Sequence, residues 1–427
     1  MTQKKLAMLG VLFVCAFSSQ ALDIAIQSQA HEAMNILIGL MDDDATIAQV
    51  ADHIAKDLAF RNQFKVTIQP FKRHIAKQEI SQLAQQHYPL ALFLSHAPHG
   101  HIEWRLYDTR QVSLLGGKKY TKRGTEPRYW AHNIADTLTQ QLTSHAGSFS
   151  TKIAYCKDIP LANGRHYKHI YIADYDGTHA QPLIATPTIN IAPRWNNDPE
   201  NPLLFFSECT KSNVRLLASD MNKRRRVVSN FDGLNMLPAF SHDGKRVVYC
   251  ASRGDGNCQL YFYQKGQFKK LTSNTGTNIS PTMSADGNLI YFCSDFETHL
   301  PQIYCFNLTT QECKRITDGG YCASPSLSPS TGKLAYTKTV KGVNQLFVYD
   351  TNTGTHTQLT TDDTHKEECS WSECGTYLLF CLSKGSMSRI ALLDVLSGKV
   401  TCLTPEHERC SYPAWSPSYI QVPVVAG

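Results

Sequence analysis

LPAFSHDG, residues 237–244, returns as SPTMSADG at 280–287, SPSLSPSTG at 324–332, CSWSECG at 369–375 and YPAWSP at 412–417. The prolines at 238, 281, 325 and 413, with Cys369 in the remaining slot, stand 43 or 44 residues apart, and Pro193 in APRW extends the series backwards by 45. A second marker keeps phase with the first: Leu271-Thr272, Ile316-Thr317, Leu359-Thr360 and Leu403-Thr404. Chance does not hold two markers in register over five periods. A period in the low forties is that of a four-stranded propeller blade, a unit that buries its faces only by stacking on its neighbours.

The clearest repeat reads as four strands, at 238–241, 246–250, 259–263 and 268–272. His242-Asp243-Gly244 turns the chain between the first two, because glycine tolerates the positive φ of a tight hairpin. Val247, Val248 and Tyr249, then Leu260, Tyr261 and Phe262, make both middle strands apolar on two faces. A sheet sandwiched between neighbours needs that pattern, whereas a one-sided sheet alternates. Strands of the second type start near 153, 203, 246, 289, 333 and 377, and those of the first type near 192, 238, 281, 325, 369 and 413. Six of each imply six blades. The strand at 153 has no first-type strand ahead of it, and the one at 413 has no successor, so these two orphans are expected to pair.

Residues 22–150 have a different rhythm. Ile47, Val50, Ala51, Ile54 and Leu58 recur at helical spacing behind Asp44, a capping residue, and Trp130, Ile134, Leu138 and Leu142 make a second helical stripe after Pro127. Residues 64–68, 90–95 and 101–108 read as strands, and 77–87 as a helix. The expected fold is an α/β N-terminal domain over 22–150, followed over 151–427 by an all-β six-bladed β-propeller closed by its C-terminal strand.

At the N-terminus, Lys4 and Lys5 precede an apolar run from Leu6 to Phe17 and then Ser18-Ser19-Gln20-Ala21. This is a signal peptide over 1–21, cut after Ala21. The run is shorter than the roughly 20 residues that span a bilayer, so export without membrane insertion is expected. The formal charge of +6 is small for the length, and nucleic-acid binding, which needs a concentrated basic face, is not expected. The densest basic run, Lys223-Arg224-Arg225-Arg226, falls at a turn between two strands. Of the 14 cysteines, Cys156, Cys250, Cys293 and Cys381 share one repeat position and read as buried free thiols. Cys250 and Cys258 are the pair a hairpin would set opposite each other. His96, His99 and His101 cluster, but the Pro98 and Gly100 between them mark an exposed turn; no metal site and no cofactor are expected.

The residues also carry a resemblance. AHNIADTLTQQLTSHAGSFSTKIAYC at 131–156 resembles the join between the two domains of the TolB family, and IADYDG at 172–177, FDGLNMLPAFSHDG at 231–244 and the final PAWSP are similar to further segments of it. The likeness spans nearly all of the mature chain. It implies a periplasmic, non-enzymatic component of a Tol–Pal system. It further implies a Pal-like peptidoglycan-associated lipoprotein docked at the mouth of the propeller channel, support of outer-membrane integrity and cell division, and contact of the mature N-terminal residues Leu22, Asp23, Ile24, Ala25 and Ile26 with a TolA-like protein. The loop before Pro238 departs from the family's His-Asn-Gly-Ala and keeps only Asn235.

The loops leading into the first-type strands converge at one end of a propeller channel. There Leu234, Met236, Leu237 and Ile279 offer apolar contact, Asn235, Asn278 and Ser280 are placed to orient a partner's backbone, and Ser324 and Glu368 occupy repeat-equivalent positions. Two rival readings stay open: a propeller hydrolase with a metal or hydrolase-type site, and an envelope scaffold without a specific partner. The chain has no G-x-S-x-G elbow, which the hydrolase reading needs.

Overall fold

The structure, a computed structural model, describes residues 33–418 apart from 62, 73–74, 98–100, 121–125, 144–145, 199 and 254–255. The expected leader, residues 1–21, and residues Leu22 to Ile26 lie outside the described residues. The N-terminal region runs β1 (Met34–Leu40), α1 (Ala45–Phe60), β2 (Phe64–Pro70), α2 (Lys77–Gln85), β3 (Leu90–Ala97), β4 (His101–Asp108), β5 (Ser113–Tyr120) and α3 (Pro127–Thr143). Its sheet has the order β2-β1-β3-β4-β5, with β1 parallel to both neighbours. Asp44 caps α1 by accepting from the amides of Thr46 and Ile47. His96 lies 3.0 Å from that carboxylate. The stripe Ile47, Val50, Ile54 and Leu58 packs on Ile36, Ile38 and Leu92 and against Trp130, Ile134 and Leu138 of α3. The sequence reading missed β1 and β5. Ile36-Leu37-Ile38 is buried on both faces and so shows no alternation, while β5 carries two glycines and little burial.

From Lys152 onward the described residues form strands joined by turns, with no helix among them. β6 (Lys152–Pro160), β7 (His166–Asp174) and β8 (Gln181–Ile184) lead into β9 (Ile189–Trp195), β10 (Leu204–Cys209), β11 (Val214–Ser219) and β12 (Arg225–Ser229). Next come β13 (Asn235–Phe240), β14 (Arg246–Ala251), β15 (Gln259–Gln264) and β16 (Gln267–Lys270). β13 to β16 form one four-stranded antiparallel sheet, and three more such sheets begin at Asn278, Cys322 and His365. β6 to β12, together with Cys410–Trp415, make one eight-stranded sheet, whose halves meet only at the single bridge Lys168–Ile189. The innermost strand of its first half comes from the far end of the chain: Cys410–Trp415 pairs with β6, setting Trp415 opposite Ile153 and Ser411 opposite Cys156. This is the pairing expected of the two orphan strands.

Apolar clusters join successive sheets face to face. Cys156, Ile170 and Ile172 pack on Leu204 and Phe206; Val248 and Leu260 on Ile290 and Phe292; Ile303 on Leu334 and Tyr336; Leu346 on Leu378 and Phe380; Tyr377 and Leu379 on Ile153 and Tyr155. The repeat-position thiols lie at these junctions. Cys293 and Cys381 donate to the carbonyls of Cys322 and Cys410 on the next innermost strand, and burial pushes the Cys293 thiol up to about 12. All thirteen cysteines from Cys156 onward are free, with Cys313 and Cys402 exposed. Cys250 and Cys258 are no disulfide, because the ladder sets Cys250 opposite Leu260 instead.

The α/β region meets the stacked sheets at a buried carboxylate. Asp57 of α1, 2% exposed, accepts from Tyr175 Oη at 2.8 Å and lies 2.7 Å from His132 Nδ1 of α3. Around it, Phe60 meets the rings of Tyr175 and Tyr377 edge-on. Arg128 pairs with Asp174 and Asp176. Asp136 accepts from the amides of Phe149 and Ser150, and a Cβ at Gly147 would lie 2.1 Å from its Oδ1. That contact is why this turn takes glycine.

Candidate partner-binding site at the channel mouth

Each innermost strand carries one bulge, and at each bulge one non-glycine residue sits in the left-handed region: Ala192, Leu237, Ser280, Ser324, Glu368 and Tyr412, with φ between 53° and 57°. The pairing register slips at the same places, between Met236 and Ala239, Ile279 and Thr282, Ala323 and Ser326, Glu367 and Ser370, and Ser411 and Ala414. In five repeats proline follows the strained residue, and it fits there because a bulge leaves an amide unpaired that proline does not have. The proline motif legible in the sequence is therefore the signature of a bulge that bends the strand and turns its side chains.

The loops entering these strands lie at the opposite end of the sheets from the α/β region, which touches the turns around Tyr175 and Cys374. Leu234, Met236, Leu237 and Ile279 are half-buried and lean on the cluster of Val248, Leu260 and Phe292. Ser280, Ser324 and Glu368 are also half-buried. Past the bulges, a space of ≈170 Å³ is lined by the innermost strands, among them Arg194, Pro238, Thr282, Pro325 and Cys369.

Two site expectations need correction. Asn235 and Asn278 are fully buried and do not face a partner. The Asn235 carboxamide accepts from Ser229 Oγ at 2.7 Å and the Phe231 amide, and donates to the carbonyls of Val214 and Phe231. Asn278 donates to Gln259 Oε1, Asn274 Oδ1 and the Gly276 carbonyl. In the preceding repeat Asn190 acts in the same way toward Lys168 and Thr186. A short amide two residues before the strained position satisfies the loop's backbone groups, so its role is bracing.

The sequence reading named Glu368 by its repeat position without weighing its charge. Glu368 accepts from the Tyr412 amide at 2.6 Å. Burial raises its carboxyl to about 7, against the opposing pull of that amide, Arg194 and Lys168; Glu367 adds to the rise. Below the ordinary carboxylate range Glu368 is protonated whether folded or unfolded. Between there and about 7 the unfolded chain releases a proton that the folded one keeps, so stability falls as pH rises. We expect Glu368→Gln, which retains the acceptor, to flatten this slope between pH 5 and 8. At pH 8 it should add about 1–3 kcal/mol, read from urea midpoints across that range.

Stacked four-stranded antiparallel sheets, fronted by a small α/β region, define a β-propeller protein. Residues 139–419 match the family model of the TolB beta propeller domain. The chain belongs to the TolB family. It is 30% identical over 159 residues to the Tol-Pal system protein TolB of Gluconobacter oxydans, covering 36% of this chain and 34% of that relative. To the Tol-Pal system protein TolB of Francisella tularensis subsp. mediasiatica it is 28% identical over 301 residues, covering 57% of this chain and 69% of that relative. The chain thus aligns with a third of the first relative and about two thirds of the second. The crystal structure of TolB from Acinetobacter baumannii superposes with a TM-score of 0.77 at 24% identity, over 91% of this chain and 97% of that one. These relatives are named as components of a system rather than as catalysts. No described helix is long and apolar enough to cross a membrane.

Proposed function

We propose that this chain is a periplasmic component of a Tol–Pal system. In this reading it is a six-bladed propeller over residues 151–427, closed into a ring by Cys410–Trp415 and carried behind an α/β domain over 22–150. It docks a Pal-like peptidoglycan-associated lipoprotein on the channel mouth and so supports outer-membrane integrity and cell division. The exported chain, cut after Ala21, uses Leu22 to Ile26 to contact a TolA-like protein. No cofactor enters.

The observation that carries the reading is the ring of bulges. Six repeat-equivalent backbones bend at the same height, which gathers the entering loops at one end, away from the α/β region. A macromolecular partner is favoured over a small substrate, because the mouth spreads apolar side chains, serines, Glu368 and Arg194 over several repeats instead of converging them on one point.

The test is Ser280→Arg combined with Ser324→Arg, which sets two bulky cations at the mouth without touching the bracing amides. Capture of the Pal-like lipoprotein from solubilised envelope should weaken by about tenfold or more, roughly 1.4 kcal/mol, at an unchanged melting temperature. Undiminished capture by this variant overturns the assignment of the mouth.

A further inference from the structure

Four junctions between successive sheets, and the one between the last sheet and the first, are each filled by a single apolar cluster; the junction between the β9–β12 sheet and the β13–β16 sheet is not. There the buried apolar residues fall into two small groups: Leu203, Phe205, Leu216 and Ala218, with Phe240 of β13 packed against them, and Tyr249, Ala251 and Tyr261. Between them opens a groove of ≈630 Å³, with Phe205, Leu216 and Phe240 toward the interior. Its lips carry Val227, Val228, Phe231 and Phe268, which are 50%, 46%, 42% and 60% exposed. Contiguous exposed apolar surface of this kind marks an interaction site.

We propose that this groove receives an extended acidic segment of a partner protein with aromatic or aliphatic side chains at alternate positions. Charge selects that occupant. Lys223, Arg224 and Arg225 are exposed and lead into Arg226, which lines the groove, while Lys265 and Lys269 flank the opposite lip at Gly266 and Phe268. No carboxylate lines it among the described residues. Arg253 stacks on Phe231, its guanidinium carbon 3.7 Å from the ring centroid. β12 is outermost in its sheet, so its free backbone edge is available to pair with an added strand. A second copy would bring this basic rim against itself, and residues 419–427 hold no acidic side chain. A nucleic acid would match the charge and leave the apolar walls unfilled. The groove shares Pro238 and Phe240 with the channel space, but its exposed lips Val227, Val228 and Phe268 lie on β12 and β16, and the proposal does not depend on how the mouth is used.

The test uses the full-length mature protein and a fluorescein-labelled seven-residue peptide alternating glutamate with phenylalanine or leucine, read by fluorescence anisotropy at low salt. Saturable binding is expected, weakened about tenfold or more by Val228→Asp with Phe268→Asp, and equally by Arg224→Glu with Arg226→Glu. The second pair changes only exposed side chains, so it decides the matter if the first disturbs folding. A peptide with lysine in place of glutamate should not bind. Absence of saturable binding, equal binding of the lysine peptide, or undiminished binding by the charge-reversed variant overturns the proposal. So does concentration-dependent dimerisation that blocks the peptide, which would give the groove to a second copy.

Discussion

Ending the chain at Glu408 is expected to lower the melting temperature by about 10 °C or more and to drive the protein into aggregates. The lost strand is the inner partner of β6, and its removal bares an apolar edge beside Ile153, Tyr155 and Ala154. The lost strand carries Trp415. Its ring lies parallel to Tyr377 with centroids 6.2 Å apart, its Nε1 donates to Thr151 Oγ1 at 2.8 Å, and its amide donates to Ser370 Oγ on the last sheet. Trp415→Ala alone should cost about 3–5 kcal/mol. Differential scanning calorimetry of both variants checks the claim. A truncated chain that melts like the intact one would falsify ring closure by this strand.

Asp57→Ala is the second change expected to have a large effect, about 3–5 kcal/mol in the urea midpoint. It strands two buried groups at once, the Tyr175 hydroxyl and His132 Nδ1. Asp57→Asn keeps one acceptor and should cost clearly less. Equal midpoints for wild type, alanine and asparagine would mean that solvent, not the network, satisfies these groups. The joint matters beyond its energy, since it ties α1 and α3 to the turn after β7 and so fixes the α/β region over the turns opposite the mouth.

Much of the fold was legible because a propeller writes its period into the chain. The second-type strands begin at 152, 204, 246, 289, 333 and 377, within a residue of where apolar runs placed them. The first-type strands begin three or four residues before their proline positions, since pairing resumes on the near side of each bulge. The KRRR run was read as a turn, yet the turn is confined to the residues before Arg225, and β12 begins there. Asn235 and Asn278 were misread because a polar residue in a loop looks the same whether it faces water or its own backbone. Asp57 escaped notice for the converse reason: one carboxylate in an amphipathic helix carries no local sign that a tyrosine 118 residues away will donate to it. Within 131–156 and 172–177, His132, Asp136, Gly147 and Tyr175 carried no signal beyond the resemblance. The structure supplies their physical content, for His132, Asp136, Gly147 and Tyr175 all belong to the joint.

The hydrogen bond from the Lys152 amide to Ser416 Oγ spans 264 residues. A chain made from its N-terminus therefore holds β6 to β8 without their inner partner until Trp415 has emerged. Contacts this distant form slowly, since the closure entropy of the intervening loop must be met first. During that interval the faces of β6 would stand open, a hazard for any nascent sheet. The α/β region is complete early and already lies against Tyr155 and Tyr175 through Phe60 and Phe149. If it folds as it emerges, these contacts cover one end of the first sheet before Cys410–Trp415 can arrive.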